Sequence, residues 1–169
     1  SGISFYSNPS TPLFGPDLVH SYTRLAGGLL PVLVGGGFWL LDIPEAPFIF
    51  LNTLSISALL FLGWYFWRIN KAVSLPWVVL WLCSLPWTLE IGTHVYNPSY
   101  LLFSSVVFFV GFVESLPTSM GKKIIPPGWG FALMGFSIGW CMQIHLSWPL
   151  YAGPLLYLFV TLRRTGLWR

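Results

Sequence analysis

Long apolar runs separated by short polar stretches mark this chain from residue 25 onward. Six can be delimited, at 25–41, 47–67, 73–87, 100–113, 128–144 and 148–162. None places apolar residues on one helical face and charges on the other at a 3.6-residue period, so they read as helices surrounded by lipid. Only 47–67 has a comfortable length for a crossing, which takes roughly 20 residues, and the shorter runs need tilt, a thinned bilayer or neighbours. The first run differs from the rest because Gly27, Gly28, Pro31 and the triplet Gly35-Gly36-Gly37 interrupt it. Each glycine costs a helix about 1 kcal/mol relative to alanine, which favours an interfacial or re-entrant helix over a simple span. The predicted fold class is an all-α polytopic membrane protein, with about five transmembrane helices plus that Gly-rich helix. Residues 1–24 form an outer-face loop and 25–169 a single transmembrane helical domain.

Composition supports the lipid setting. The 169 residues are 55% hydrophobic and 8% charged, with a mean hydropathy of +0.72, whereas soluble domains carry about 25% charged residues. So few charges cannot cover a water-facing surface, and no room remains for a soluble domain. Cys83 and Cys141 fall inside apolar runs, where they read as small buried hydrophobes. The net charge of +3 fits cytoplasmic loops, and no basic patch interleaved with stacking aromatics indicates nucleic acid. Arg68 and Lys71 follow the second run, Lys122 and Lys123 the fourth, and Arg163, Arg164 and Arg169 the sixth. Each cluster is two runs from the next, so all share the cytoplasmic side and the loops at 90–100 and around His145 face outside. The expected location is a bacterial-type plasma (inner) membrane, with the Trp residues near run ends as interfacial belts. Asn8-Pro9, Thr11-Pro12 and Gly15-Pro16 make the beginning a loop, and both ends read as cut from a longer polytopic protein.

On the outer face the scarce polar side chains gather. They are Asp17, His20, Tyr22 and Arg24, then Glu90, Thr93, His94, Tyr96 and Asn97, then Gln143, His145 and Ser147. Ionisable groups at a membrane face are costly unless paired or wetted and so mark a functional cavity, the plain alternative being ordinary interfacial loop residues. Glu90 and His94 stand at helical i, i+4 spacing and could share a divalent metal with His20 or His145. Gly92 and Pro98 work against a sustained helix there and HExxH is absent, so no cofactor is predicted. G-x-S-x-G, P-loop and G-x-G-x-x-G signatures are also absent. Glu114 reads as a solvated charge beside Lys122 and Lys123. Asn52, Thr53, Ser55 and Ser57 read as bonds between helices or back to the i−4 carbonyl. Pro98 can open the fourth helix without a backbone N–H, with Asn97 as the capping-type residue before it.

Two stretches carry a resemblance. "SLPWTLEIGTHVYNPSYLLFSSVVFFVGF" (84–112) has an apolar helix ending in Pro and a polar turn, then an aromatic-Asn-Pro triplet. "GFALMGFSIGWCMQIHLSWPLYAGPLLYLF" (130–159) has a G-x-x-x-Q-x-H-x-S pattern on Gly139, Gln143, His145 and Ser147, with Pro149 following. Both resemble polytopic glycosyltransferases of the GT-C type, the dolichyl-phosphate-mannose protein mannosyltransferase and aminoarabinose transferase relatives. "HSYTRLAGGLLPVLVG" (20–35) is similar to the amphipathic helix that lies on the outer membrane face in such enzymes.

The resemblance implies a transferase that takes a sugar from a polyprenyl-phosphate carrier at the outer membrane face and gives it to a lipid, protein or glycan acceptor. Such chemistry needs a carboxylate base for the acceptor hydroxyl and donors for the leaving phosphate. Arg24 and His94 would contact the carrier phosphate, while His20, Glu90, Tyr96, Asn97, Gln143 and His145 would shape the sugar or carrier pocket. The family base is an aspartate just after a first transmembrane helix that this chain lacks. Asp17 is the one candidate here, but it stands too near the interfacial helix to match, which places the expected base upstream of Ser1. A small multi-span transporter or a non-enzymatic accessory subunit of a membrane complex is the alternative, and would distribute polar residues toward the bilayer midplane.

Overall fold

The computed structural model describes residues 28–167 except 71, 73, 87, 89, 91–93, 96 and 118–122, and of residues 97, 98 and 127 the backbone alone. Among the described residues six α-helices are present: α1 (Leu29–Leu40), α2 (Ala46–Ile69), α3 (Leu75–Ser84), α4 (Leu101–Ser115), α5 (Pro127–Ile144) and α6 (Ala152–Arg164). Short 3₁₀ turns at Asn97–Tyr100 and Trp148–Tyr151 lead into α4 and α6, and among the described residues there is no strand.

Proline sets several boundaries. α2, α3 and α5 each have a proline in their first two positions, where the missing N–H is not needed. Leu85 precedes Pro86 and is extended, which stops α3 short of the apolar run that contains it. In the last run, Pro149 sits in a 3₁₀ turn, so α6 starts only at Ala152.

By length and composition one described helix, against the expected five or so, qualifies as a crossing. α2, with 24 residues, is the one described helix long and apolar enough to cross a membrane; it spans about 36 Å against a hydrocarbon core of about 30 Å. α1, α3 and α4 have 12, 10 and 15 residues, which at 1.5 Å per residue fall short of that thickness. α5 has 18 residues, but four glycines, a proline and Gln143 dilute its apolar character.

α2 and α4 run side by side in the same direction, Leu51 meeting Tyr100 near one end and Phe66 meeting Phe109 at 5.8 Å toward the other. α5 returns against α4. Then α6 descends along α4 with Tyr151 stacked on Phe108 at 4.1 Å and Leu162 in one cluster with Phe112 and Leu116. α1 closes the first end, where Leu33 joins Leu51, Tyr100 and Ile144. Large apolar side chains stand exposed on every helix, among them Trp64, Trp77, Phe109, Trp129 and Leu156. Apart from Glu114, the buried polar residues among those described are serines, of which Ser104, Ser115 and Ser137 donate to carbonyls of their own helices at 3.0, 2.7 and 2.8 Å.

The tightest contact is the crossing of α4 and α5 at Gly111 and Gly130. A Cβ on Gly111 would lie 2.6 Å from the Gly130 carbonyl oxygen, and one on Gly130 would lie 2.8 Å from that of Gly111. Close beside this crossing, Glu114 corrects its reading as a solvated charge. It is 1% exposed, and its Oε2 accepts the backbone N–H groups of Ile124 and Ile125 at 3.0 and 3.3 Å. Its other oxygen and the Tyr65 hydroxyl are both buried without a partner of normal hydrogen-bond geometry, and the two side chains are neighbours. The physical reason is that α4 continues past the apolar run to Ser115, which keeps Glu114 on an interior face where the loop amides need an acceptor.

Gly111→Val should therefore destabilise the protein by about 1–3 kcal/mol through overpacking, read as a fall in thermal midpoint in detergent. Gly135→Ala, whose Cβ would meet nothing within 4 Å, should leave the midpoint unchanged or raise it, and equal responses from both variants would refute the close crossing. Glu114→Leu strands two loop amides, each worth about 1–3 kcal/mol if left unsatisfied, whereas Glu114→Gln keeps an acceptor and should retain much of that stability.

Candidate functional site

The end of the bundle formed by the start of α2, the start of α4 and the last turn of α5 carries the polar residues singled out from sequence. Between α3 and α4, the His94 amide donates to the Glu90 carbonyl at 3.3 Å. The His94 ring adds a second bond to the same oxygen through Nδ1 at 3.0 Å. A carbonyl only accepts, so Nδ1 carries the proton and Nε2 is the acceptor nitrogen of the neutral ring. The Ser99 hydroxyl donates to the His94 carbonyl, so the segment is held on both sides of the histidine.

His145 has the opposite tautomer. It caps α5 in an extended conformation with its amide donating to the Cys141 carbonyl at 2.8 Å. Its Nδ1 accepts the Ser147 amide at 3.2 Å, which leaves Nε2–H as the donor of the neutral ring. Ser147 also places its hydroxyl 3.5 Å from the Cys141 sulfur. One end of the bundle thus offers an accepting imidazole on one loop and a donating imidazole on the next.

A single side-chain bond stitches the two loops together. Trp140 Nε1 donates to the Tyr100 carbonyl at 3.0 Å, and Tyr100 and Ile144 are buried in one cluster against which Val95, Leu101 and Trp140 pack. Glu90, His94 and Gln143 are exposed and His145 is half-buried. Asn97 opens the 3₁₀ turn, and the N-cap of α4 is Tyr100, which corrects the reading of Asn97 as the helix cap. Asp17, His20, Arg24 and Tyr96 lie outside the described residues. Among the described residues no three His, Cys, Asp or Glu side chains converge in a metal-binding group.

Sequence reading passed over Tyr100, Trp140 and Ser99, which build the joint. Trp140 and Tyr100 fall within apolar runs. The one legible hint was position, since Trp140 stands one helical turn before Ile144 and Tyr100 follows directly on the Asn97-Pro98 turn.

An apolar groove of about 500 Å³ lies between α4 and α6, lined by Phe108, Phe112, Leu150, Tyr151, Pro154 and Tyr157. Its Leu150 edge adjoins the His145–Ser147 loop in sequence. Compared with known proteins, the chain matches no family model, no curated protein and no solved structure.

Trp140→Phe keeps the ring but removes the donor to the Tyr100 carbonyl. Loss of that bond is expected to cost about 1–3 kcal/mol and to speed amide hydrogen exchange in residues 97–101 while leaving residues 152–164 unchanged. Uniform exchange in both regions would show that the bond does not hold the loops together.

Proposed function

We propose that this chain is the membrane-embedded part of a multi-pass glycosyltransferase that moves a sugar from a polyprenyl-phosphate carrier to a lipid, protein or glycan acceptor at the outer membrane face. The observation that carries the reading is the joining of residues 90–100 and 143–147 at one end of the bundle, opposite the end that holds Arg68, Arg163 and Arg164. Basic ends stay on the cytoplasmic side, so the joined loops face outside. Exposed large apolar side chains on every helix suit a lipid solvent, which water would not favour. In this reading α2 crosses unaided, and the shorter helices cross with tilt and local thinning of the bilayer.

The chemistry of the site fits the role. Nε2–H of His145 and the amide of Gln143 are donors suited to sugar hydroxyls or to the phosphate that leaves with the carrier. Nε2 of His94, in its neutral form, accepts from a hydroxyl, and in its charged form it would pair with phosphate. The apolar groove between α4 and α6, whose Leu150 edge follows the His145–Ser147 loop in the chain, suits the first isoprene units of the carrier chain. Arg24, His20, Tyr96 and Asn97 complete the proposed site, and the catalytic carboxylate remains with Asp17 or a residue outside this sequence.

The test is transfer from a radiolabelled polyprenyl-phosphate sugar in membranes containing the native protein. His94→Ala, Gln143→Ala and His145→Ala should each lower transfer about tenfold or more, the scale of one lost hydrogen bond to a charged group. Full transfer by all three variants, at equal protein levels, would sink the proposed site.

A further inference from the structure

The charged residues sort by end of the bundle. Among the described residues, Arg68 stands in the last turn of α2, Arg163 and Arg164 in the last turn of α6, and Lys123 directly precedes the amides bound by Glu114. These positions share one end, because α2 and α6 both meet the second half of α4 there. Asp42 and Glu45 lie in the turn before α2 and Glu90 in the segment before α4, at the opposite end. The one described acid at the basic end is Glu114, which is buried and directs its Oε2 at the loop amides.

The arginines at this end are exposed, Lys123 is half-exposed, and bulky apolar groups stand beside them in the chain: Trp129 is 66% and Leu167 67% exposed. Lys71, Lys122 and Arg169 adjoin the same positions in sequence. Cations mixed with exposed Trp and Leu match the boundary where lipid phosphates meet acyl chains.

We propose that this end is a docking surface for the headgroups of anionic phospholipids in the adjacent leaflet. Guanidinium forks of Arg68, Arg163 and Arg164 take two phosphate oxygens each, Lys123 adds a point charge, and Trp129 sits at headgroup depth. A nucleic acid would satisfy the cations but would leave Trp129 and Leu167 without an apolar partner. This inference rests on the membrane reading above and not on sugar transfer.

The experiment uses the native protein reconstituted in vesicles of phosphatidylcholine with graded phosphatidylglycerol, followed by detergent extraction and native mass spectrometry of the lipids retained. Wild type is expected to retain phosphatidylglycerol over phosphatidylcholine, with the preference falling as salt rises. Arg163→Gln/Arg164→Gln should reduce that preference roughly 25-fold, about fivefold per cation, with the thermal midpoint unchanged. Asp42→Asn/Glu45→Gln, at the other end, should leave it intact.

Equal retention of both lipids by wild type would overturn the proposal, as would an unchanged preference in the arginine variant. A lower midpoint with unchanged preference would leave the arginines as partners of the helix C-termini alone. Displacement of the lipid by a short oligonucleotide but not by inorganic phosphate would replace lipid with nucleic acid as the ligand. Carbonate extraction of the protein from the vesicles would remove the membrane reading together with this one, while a stably inserted protein without headgroup preference would remove this one only.

Discussion

The arrangement depends on two glycines. At Gly111 and Gly130 the backbones of α4 and α5 approach until each carbonyl occupies the space a Cβ would need on the other helix. In the lipid setting proposed above no hydrophobic gain would drive helices together, so such close approach, with its dispersion contacts, would be a main source of helix association. Ser115 fits the same crossing because its hydroxyl folds back onto the Gly111 carbonyl. From this point the two helices run antiparallel, and both ends of the bundle follow from where each helix stops.

At one end, in the connection between α4 and α5, the Ile124 and Ile125 amides need an acceptor. Glu114 supplies the acceptor there, next to the Tyr65 hydroxyl of α2. Its Oε2 is therefore directed at backbone donors. At the other end, Trp140 reaches the Tyr100 carbonyl and brings the His94 and His145 segments to one place. Backbone bonds then impose opposite tautomers on the two rings, a consequence of which atom each Nδ1 faces. The proposed transferase site and the proposed lipid-binding surface thus stand at opposite ends of one packed pair.

Parts of this were legible in the chain. The run containing Asn52 to Ser57 read as a helix with polar groups bonded internally, and Thr53 does bond to the Ile49 carbonyl. Proline positions fixed where several helices begin, and the two-run separation of Arg68, Lys123 and Arg163 anticipated their common end. Run lengths were a poorer guide. An apolar run measures affinity for lipid, whereas a helix also needs backbone donors, and Pro86 and Pro149 remove them inside the runs. That is why α3 and α6 are shorter than the apolar stretches that contain them.

The sequence by itself determined the helical class, the polar connections and the segregation of charge, since each depends on local composition and on the direction in which successive segments run. Tertiary structure decided that Glu114 turns inward and that Tyr100 and Trp140 join two loops. Those outcomes rest on distances between residues far apart in the chain, such as Trp140 and Tyr100. Such distances are set by the depth at which Gly111 and Gly130 let two helices cross, and periodicity along one helix carries no record of that depth.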